Sequence, residues 1–168
     1  GSSPILYENL LILTFDGVDV QYVIALDKAT GETVWKTARS TEWTDLDENG
    51  QPLREGDFRK SFTTPLVISV GERELLISPA TFAAFAYDVK TGEELWKTKY
   101  TAYSPALRPV YGDGLLYIAT GRGNTGELWA MRPDGSGDVT ESHVVWKAQG
   151  GIVPLEPSPL LIDGLLYL

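Results

Sequence analysis

Residues 25–37 read ALDKATGETVWKT and residues 86–98 read AYDVKTGEELWKT, an offset of sixty-one positions with eight of thirteen letters identical. Ala, Asp, Thr-Gly and Trp fall in register. The chain therefore contains an internal repeat, a supersecondary unit used more than once, and the fold has to be read from that unit outward.

Ahead of each copy stands an X-Pro step followed by a short apolar run: Ser3-Pro4-Ile5-Leu6 and Thr64-Pro65-Leu66-Val67. The same signature recurs at Arg108-Pro109-Val110-Tyr111 and Ser158-Pro159-Leu160-Leu161. Each run meets a turn signal (Glu8-Asn9, Gly71-Glu72, Asp113-Gly114, Asp163-Gly164) and then a second apolar run, at 10–14, 75–78, 115–119 and 165–168. Two apolar runs across a short polar turn predict a β-hairpin. Third runs at 22–26, 83–87 and 127–131 and fourth runs ending at Trp35, Trp96 and Trp146 complete three units. Helical periodicity is nowhere sustained, while ten prolines and seventeen glycines punctuate the chain. The fold class is all-β, a β-propeller segment of four-stranded antiparallel blades. The expected boundaries are blade 1 at about 3–40, an inserted loop at 41–61, blade 2 at about 62–103, blade 3 at about 104–150 and the start of blade 4 at about 157–168.

The residue types of the repeat have physical reasons. Gly supplies a left-handed turn position, Asp and Thr hydrogen-bond turn amides, and Ala leaves room. Trp offers a large flat surface with one N–H to place on a neighbouring sheet.

Ala25, Asp27, Thr30, Gly31 and Trp35, and again Ala86, Asp88, Thr91, Gly92 and Trp96, resemble the tryptophan-docking motif of the PQQ-like β-propeller repeat family, which includes quinoprotein alcohol dehydrogenases and BamB-like assembly lipoproteins. The resemblance covers nearly the whole chain. The third unit keeps Ala130 and Trp146 but replaces the tight turn with Pro133–Thr140, PDGSGDVT, so docking is expected there with altered turn geometry. The resemblance implies an extracytoplasmic setting. Its dehydrogenase members stack pyrroloquinoline quinone between a Trp and a vicinal disulfide, beside Ca²⁺ held by Glu and Asn, with a catalytic Asp. This chain has no cysteine, and no motif accommodates those acids. No cofactor is expected, quinone and calcium belonging to the enzyme alternative.

A formal charge of −9 repels polyphosphate and makes nucleic acid a poor partner. No apolar run reaches the roughly 18 residues of a membrane span. No export signal is visible at Gly1-Ser2, so any such signal is expected to lie outside this sequence.

The inserted loop, TEWTDLDENGQPLREGDFRKS, is polar and expected to project, which makes it the candidate binding loop. Trp43 has no assignable packing role and is read as a binding-surface aromatic, whereas Trp129 is read as packing. Asp45, Asp47 and Asn49 sit at the first, third and fifth positions of a calcium-loop pattern, but Gly56 occupies the position that requires a bidentate Glu. An Asn-Gly hairpin turn flanked by solvated acids is the expectation. Asp134, Ser136 and Asp138 form a weaker cluster of the same kind. His143, the sole histidine, is expected to be structural or solvent-facing, and Gly121–Gly126 is expected to be an inter-strand loop.

The functional expectation is a non-catalytic scaffold whose loops contact protein or glycan. Its open ends would need other blades or copies to cover them. Two alternatives stand beside it: part of a quinone- and calcium-dependent alcohol or sugar dehydrogenase, or the sensor portion of a larger extracytoplasmic receptor.

Overall fold

The computed structural model describes residues 1–122, 126–150, 153 and 157–168. Strands β1 (Ile5–Tyr7), β2 (Leu10–Asp16), β3 (Gln21–Asp27) and β4 (Thr33–Ala38) form a first antiparallel sheet in chain order. Strands β5 (Leu66–Val70), β6 (Arg73–Pro79), β7 (Ala83–Asp88) and β8 (Glu94–Lys99) form the second. A third contains β9 (Val110–Gly112), β10 (Leu115–Ala119), β11 (Glu127–Met131) and β13 (Val144–Gln149). Between β11 and β13 lies β12 (Gly137–Asp138), and β14 (Leu160–Ile162) pairs with β15 (Leu165–Tyr167) as a separate hairpin.

The hairpins follow their turn chemistry. Asp113-Gly114 and Asp163-Gly164 both carry two consecutive left-handed residues, the type I′ pattern whose twist matches the flanking strands. In all three sheets the third and fourth strands set Ala opposite Trp: Ala25 with Trp35, Ala86 with Trp96 and Ala130 with Trp146. Each ladder shifts register immediately after that Ala, and such a bulge increases local twist.

Alternation along the strands gives every sheet two apolar faces, and consecutive sheets pack face to face. Leu10, Ile12, Val23, Ala25 and Trp35 of the first sheet meet Leu76, Phe85, Tyr87 and Val89 of the second. Across the second interface, Ile68, Ile77, Ala86 and Trp96 meet Leu116, Ile118, Trp129 and Met131. Trp129 is therefore core, 2% exposed.

The segment at 133–140 departs from a simple loop. It returns along the outer edge of the second sheet, where β12 pairs in parallel with Trp96 and Lys97 of β8 as a fifth strand. Val139 buries its side chain there, and its N–H donates to the Lys97 carbonyl at 2.9 Å. A sheet edge that would otherwise present bare backbone groups is thereby covered from within the chain.

Candidate functional site

Because the strands alternate in direction, the connections fall at two ends of the sheets, and the sequence-predicted residues divide between them. One end holds the turns at 27–31 and 88–92. Asp27 Oδ1 accepts the Ala29 and Thr30 N–H groups at 2.9 Å each, and Asp88 Oδ1 accepts those of Lys90 and Thr91 at 3.0 and 2.8 Å. These bonds, the one from the Thr30 N–H first, hold the Asp27 carboxyl below its usual range. Gly31 (φ 75°) and Gly92 (φ 73°) close the turns in the left-handed region. The Trp35 indole N–H donates to the Val89 carbonyl at 3.1 Å and the Trp96 indole to the Pro133 carbonyl at 2.9 Å. Trp146 differs: it is 40% exposed, tilts against Tyr117, and its indole N–H has no acceptor among the described residues.

The opposite end carries the 41–61 segment, and here the side chains were expected to be free. They are not. The Arg59 guanidinium lies 4.3 Å from the Trp43 ring, which meets Phe82 edge-on at 6.3 Å. The expectation that Trp43 lacks a packing role is thus corrected: it is half-buried between an Arg of its own segment and an aromatic of the second sheet. Asp45 is likewise no solvated acid. It is 3% exposed and receives Arg59 Nε at 2.9 Å and a second guanidinium nitrogen at 3.0 Å. Residues 46–51 are exposed, and a bridge between Leu46 and Pro52 closes this tip. Asp47 Oδ1 accepts the Asn49 and Gln51 N–H groups at 2.9 and 2.8 Å, and Asn49 is exposed. Asp45, Asp47 and Asn49 therefore serve different partners and do not converge on a cation.

The tip is followed by a 3-10 segment, Leu53–Arg59, with Arg54, Glu55 and Gly56 at φ 48°, 56° and 80°. Gly56 has a local reason: a Cβ there would sit 2.9 Å from the Val18 carbonyl of the β2–β3 turn. Phe82 (φ 64°) and Ser104 (φ 48°) add two further left-handed residues at this end. Each non-Gly residue so held costs on the order of 1–3 kcal/mol and persists because its surroundings over-determine it. Phe82 donates its N–H to the Ala102 carbonyl and accepts from Tyr100, while Ser104 N–H donates to Thr81 Oγ1.

Beneath this end lies a buried ion pair. Arg39 Nε donates to Asp16 Oδ1 at 2.5 Å and Arg39 Nη2 donates to Ser78 Oγ at 2.9 Å, tying the first sheet to the second. Burial alone would lower the Arg39 pKa, but the Asp16 carboxylate and the Tyr87 oxygen together outweigh it and raise it, so the guanidinium stays charged. Burial pushes the neighbouring Tyr87 up to about 12, which keeps that hydroxyl neutral.

The remaining polar candidates are local. His143 Nδ1 lies 2.8 Å from Ser142 Oγ, and His143 Nε2 lies 3.6 Å from Asp134 Oδ1, on an exposed turn. Asp138 pairs with Lys99 at 2.9 Å. In the glycine-rich stretch, Arg122 N–H donates to the Tyr103 carbonyl, whereas residues 123–125 lie outside the described residues. Sequence reasoning missed Arg39, Asp16, Arg59 and Phe82. Only the unusual placement of charged residues next to apolar strand ends signalled the first two.

Among the described residues no group of three or more His, Cys, Asp or Glu is placed to hold a metal ion. The sequence has no cysteine for a vicinal disulfide, and the Trp43 face over which Arg59 lies is not open to a flat ligand.

A family model described as outer membrane protein assembly factor BamB matches residues 19–160. Tetrathionate hydrolase of Acidithiobacillus ferrooxidans is 32% identical over 95 residues, 54% of this chain and 17% of that protein. BamB from Moraxella catarrhalis superposes with a TM-score of 0.55 at 16% identity, over 87% of this chain and 39% of its own. A europium-containing methanol dehydrogenase gives 0.56 at 15% identity, over 87% of this chain and 24% of its own. At such identities the structural likenesses show the fold, a PQQ-like propeller segment, and the chain spans less than half the length of each of these proteins.

Proposed function

The chain belongs to the family of the outer membrane protein assembly factor BamB, and on that premise we propose that it is a non-catalytic propeller scaffold whose end formed by residues 41–61 contacts a partner protein. The carrying observation is that Asp45, Asp47 and Trp43 are engaged by the segment itself. Asp45 with Arg59, Asp47 with its own turn and Trp43 under Arg59 leave a pre-shaped protrusion. Pre-shaping lowers the ordering cost of association. A glycan is the weaker occupant, because the aromatic expected to stack on a sugar ring already carries a guanidinium.

In this reading the three sheets are successive blades at about 3–40, 62–103 and 104–150, residues from about 157 begin a fourth, and further repeats or copies cover the outermost faces. Trp35 and Trp96 act as the docking tryptophans between blades, and Trp146 is the third of the series. The family supports an extracytoplasmic location. The enzyme alternative is tested by adding pyrroloquinoline quinone and Ca²⁺ while tryptophan fluorescence and dye-linked alcohol oxidation are followed. The expected result is no saturable quenching and no turnover; saturable quenching with alcohol oxidation overturns the scaffold reading.

A further inference from the structure

The 41–61 end has an unbalanced residue of charge once its ion pairs are removed. Asp16 is matched by Arg39, Asp45 by Arg59, Asp57 by Lys60, and Glu42 by Lys97 and Lys99. Within the segment Arg54 lies 5.1 Å from the Phe58 ring. Asp19, Asp47, Glu48 and Glu55 have no ion-pair partner among the described residues, four carboxylates against the one Arg54 guanidinium, so the charge left over on the segment and the 17–20 turn is predominantly negative. The same place also exposes apolar side chains. Leu46 is 46% exposed and Leu53 44%, bracketing the tip, and Val18 (39%) and Val20 (49%) stand on the turn against which Gly56 packs.

Exposed leucines at a tip fixed by its own hydrogen bonds, ringed by uncompensated carboxylates, are complementary to one chemistry: a segment that alternates apolar and basic side chains. We propose that Leu46, Leu53 and Val18, with Glu48 and Glu55, form a docking surface for an extended Lys/Arg-rich amphipathic peptide of a partner protein. The apolar side chains supply the affinity and the carboxylates select sign and accelerate encounter. This rests on the scaffold reading and names the partner chemistry of the same site.

The test uses the whole chain and a fluorescent twelve-residue peptide of alternating Lys and Leu, with an alternating Glu/Leu peptide as its counterpart, read by anisotropy. Saturable binding of the Lys/Leu peptide alone is expected. Leu46→Ser with Leu53→Ser is expected to weaken it about tenfold or more, given the apolar area of two leucines. Glu48→Gln with Glu55→Gln should weaken it several-fold and flatten its salt dependence. Glu72→Gln with Glu93→Gln, exposed acids at the opposite end, should leave it within about twofold. Both leucines are solvent-exposed, so their replacement leaves folding intact, checked by the tryptophan emission spectrum. Equal weakening by the opposite-end pair means that the net charge alone attracts the peptide, and the surface assignment fails. It also fails if the Glu/Leu peptide binds as well, or if the serine pair binds like wild type. Quinone and Ca²⁺ are titrated in parallel: quinone-dependent alcohol oxidation sinks the scaffold reading itself, whereas peptide failure without it sinks only this surface.

Discussion

The two interfaces between consecutive sheets share a tryptophan and differ in what lies beneath it. At the first, Trp35 covers the tight 88–92 turn, so closely that a Cβ on Gly92 would stand 2.5 Å from its ring, and Thr37 Oγ1 donates to the Gly92 carbonyl at 2.7 Å. At the second, the turn is gone. The Trp96 indole still finds a backbone carbonyl, that of Pro133, but Thr98, two residues on as Thr37 is from Trp35, is fully buried with no partner for its hydroxyl. What replaces the turn also compensates for it: Lys99 N–H donates to Thr140 Oγ1, Val139 is buried and β12 covers the edge of β8. An indole bonded to a carbonyl and a small residue opposite the Trp are what the two interfaces share, and the turn is replaceable.

The largest expected effect comes from removing the shared element. Trp96→Ala, at 1% exposure, should lower unfolding free energy by roughly 3–5 kcal/mol and Trp35→Ala, at 7%, by nearly as much. Trp146→Ala, at 40% exposure and without an acceptor, should cost less than about 1 kcal/mol. Urea unfolding of the three variants decides it; equal losses would mean that neither burial nor the indole bond sets the contribution.

A second pair isolates the contact under Trp35. Gly31→Ala and Gly92→Ala both place a Cβ on a left-handed residue, at a cost of about 1–2 kcal/mol each. Only at Gly92 does the Cβ also meet the indole, while nothing lies within 4 Å at Gly31. Overpacking should add roughly 1–3 kcal/mol there. Equal melting temperatures for the two variants would show that the ring moves aside freely.

The hydroxyls give a smaller contrast of opposite sign. Thr37→Val removes a hydrogen bond and should cost about 1 kcal/mol, whereas Thr98→Val removes a buried hydroxyl without a partner and should be neutral or stabilising. A loss at Thr98 matching that at Thr37 would point to a bound water satisfying it.

These contrasts also mark what was legible in the sequence. The strand runs, the turns and the Ala-Trp pairing were readable because each is encoded within about fifteen residues by period-two alternation and by Gly or Asp at fixed offsets. The β12–β8 pairing was not, because PDGSGDVT carries loop chemistry and its partner strand lies some forty residues earlier in the sequence, in another unit. The 41–61 segment was misread for a related reason. Its letters spell solvated acids and a free aromatic, and only the fold shows Arg59 placed to serve both Asp45 and Trp43. The motif residues were found from their repetition; the charged residues of the opposite end occur once each, so no repetition exposed them.

The smallest effect separates the interfaces by pH. Asp138 accepts the Thr140 hydroxyl at 2.6 Å and pairs with Lys99, and these hold its carboxyl down at about 2, below the usual carboxylate range. A depressed folded pKa contributes stability that is present above the unfolded value and lost as pH falls through the folded one. The fifth strand should therefore loosen between about pH 4 and pH 2, while the Trp35 interface, which has no such strand, is unaffected by that titration. The side chain is 43% exposed, so solvent screens the contribution and added salt should shrink the Lys99 part further. In an NMR titration, the Val139 and Thr140 amides should shift in that window, and Asp138→Asn should abolish the step. If the Asn variant keeps it, another carboxylate governs the strand, and the second interface owes its stability to Val139 and the Trp96 carbonyl bond alone.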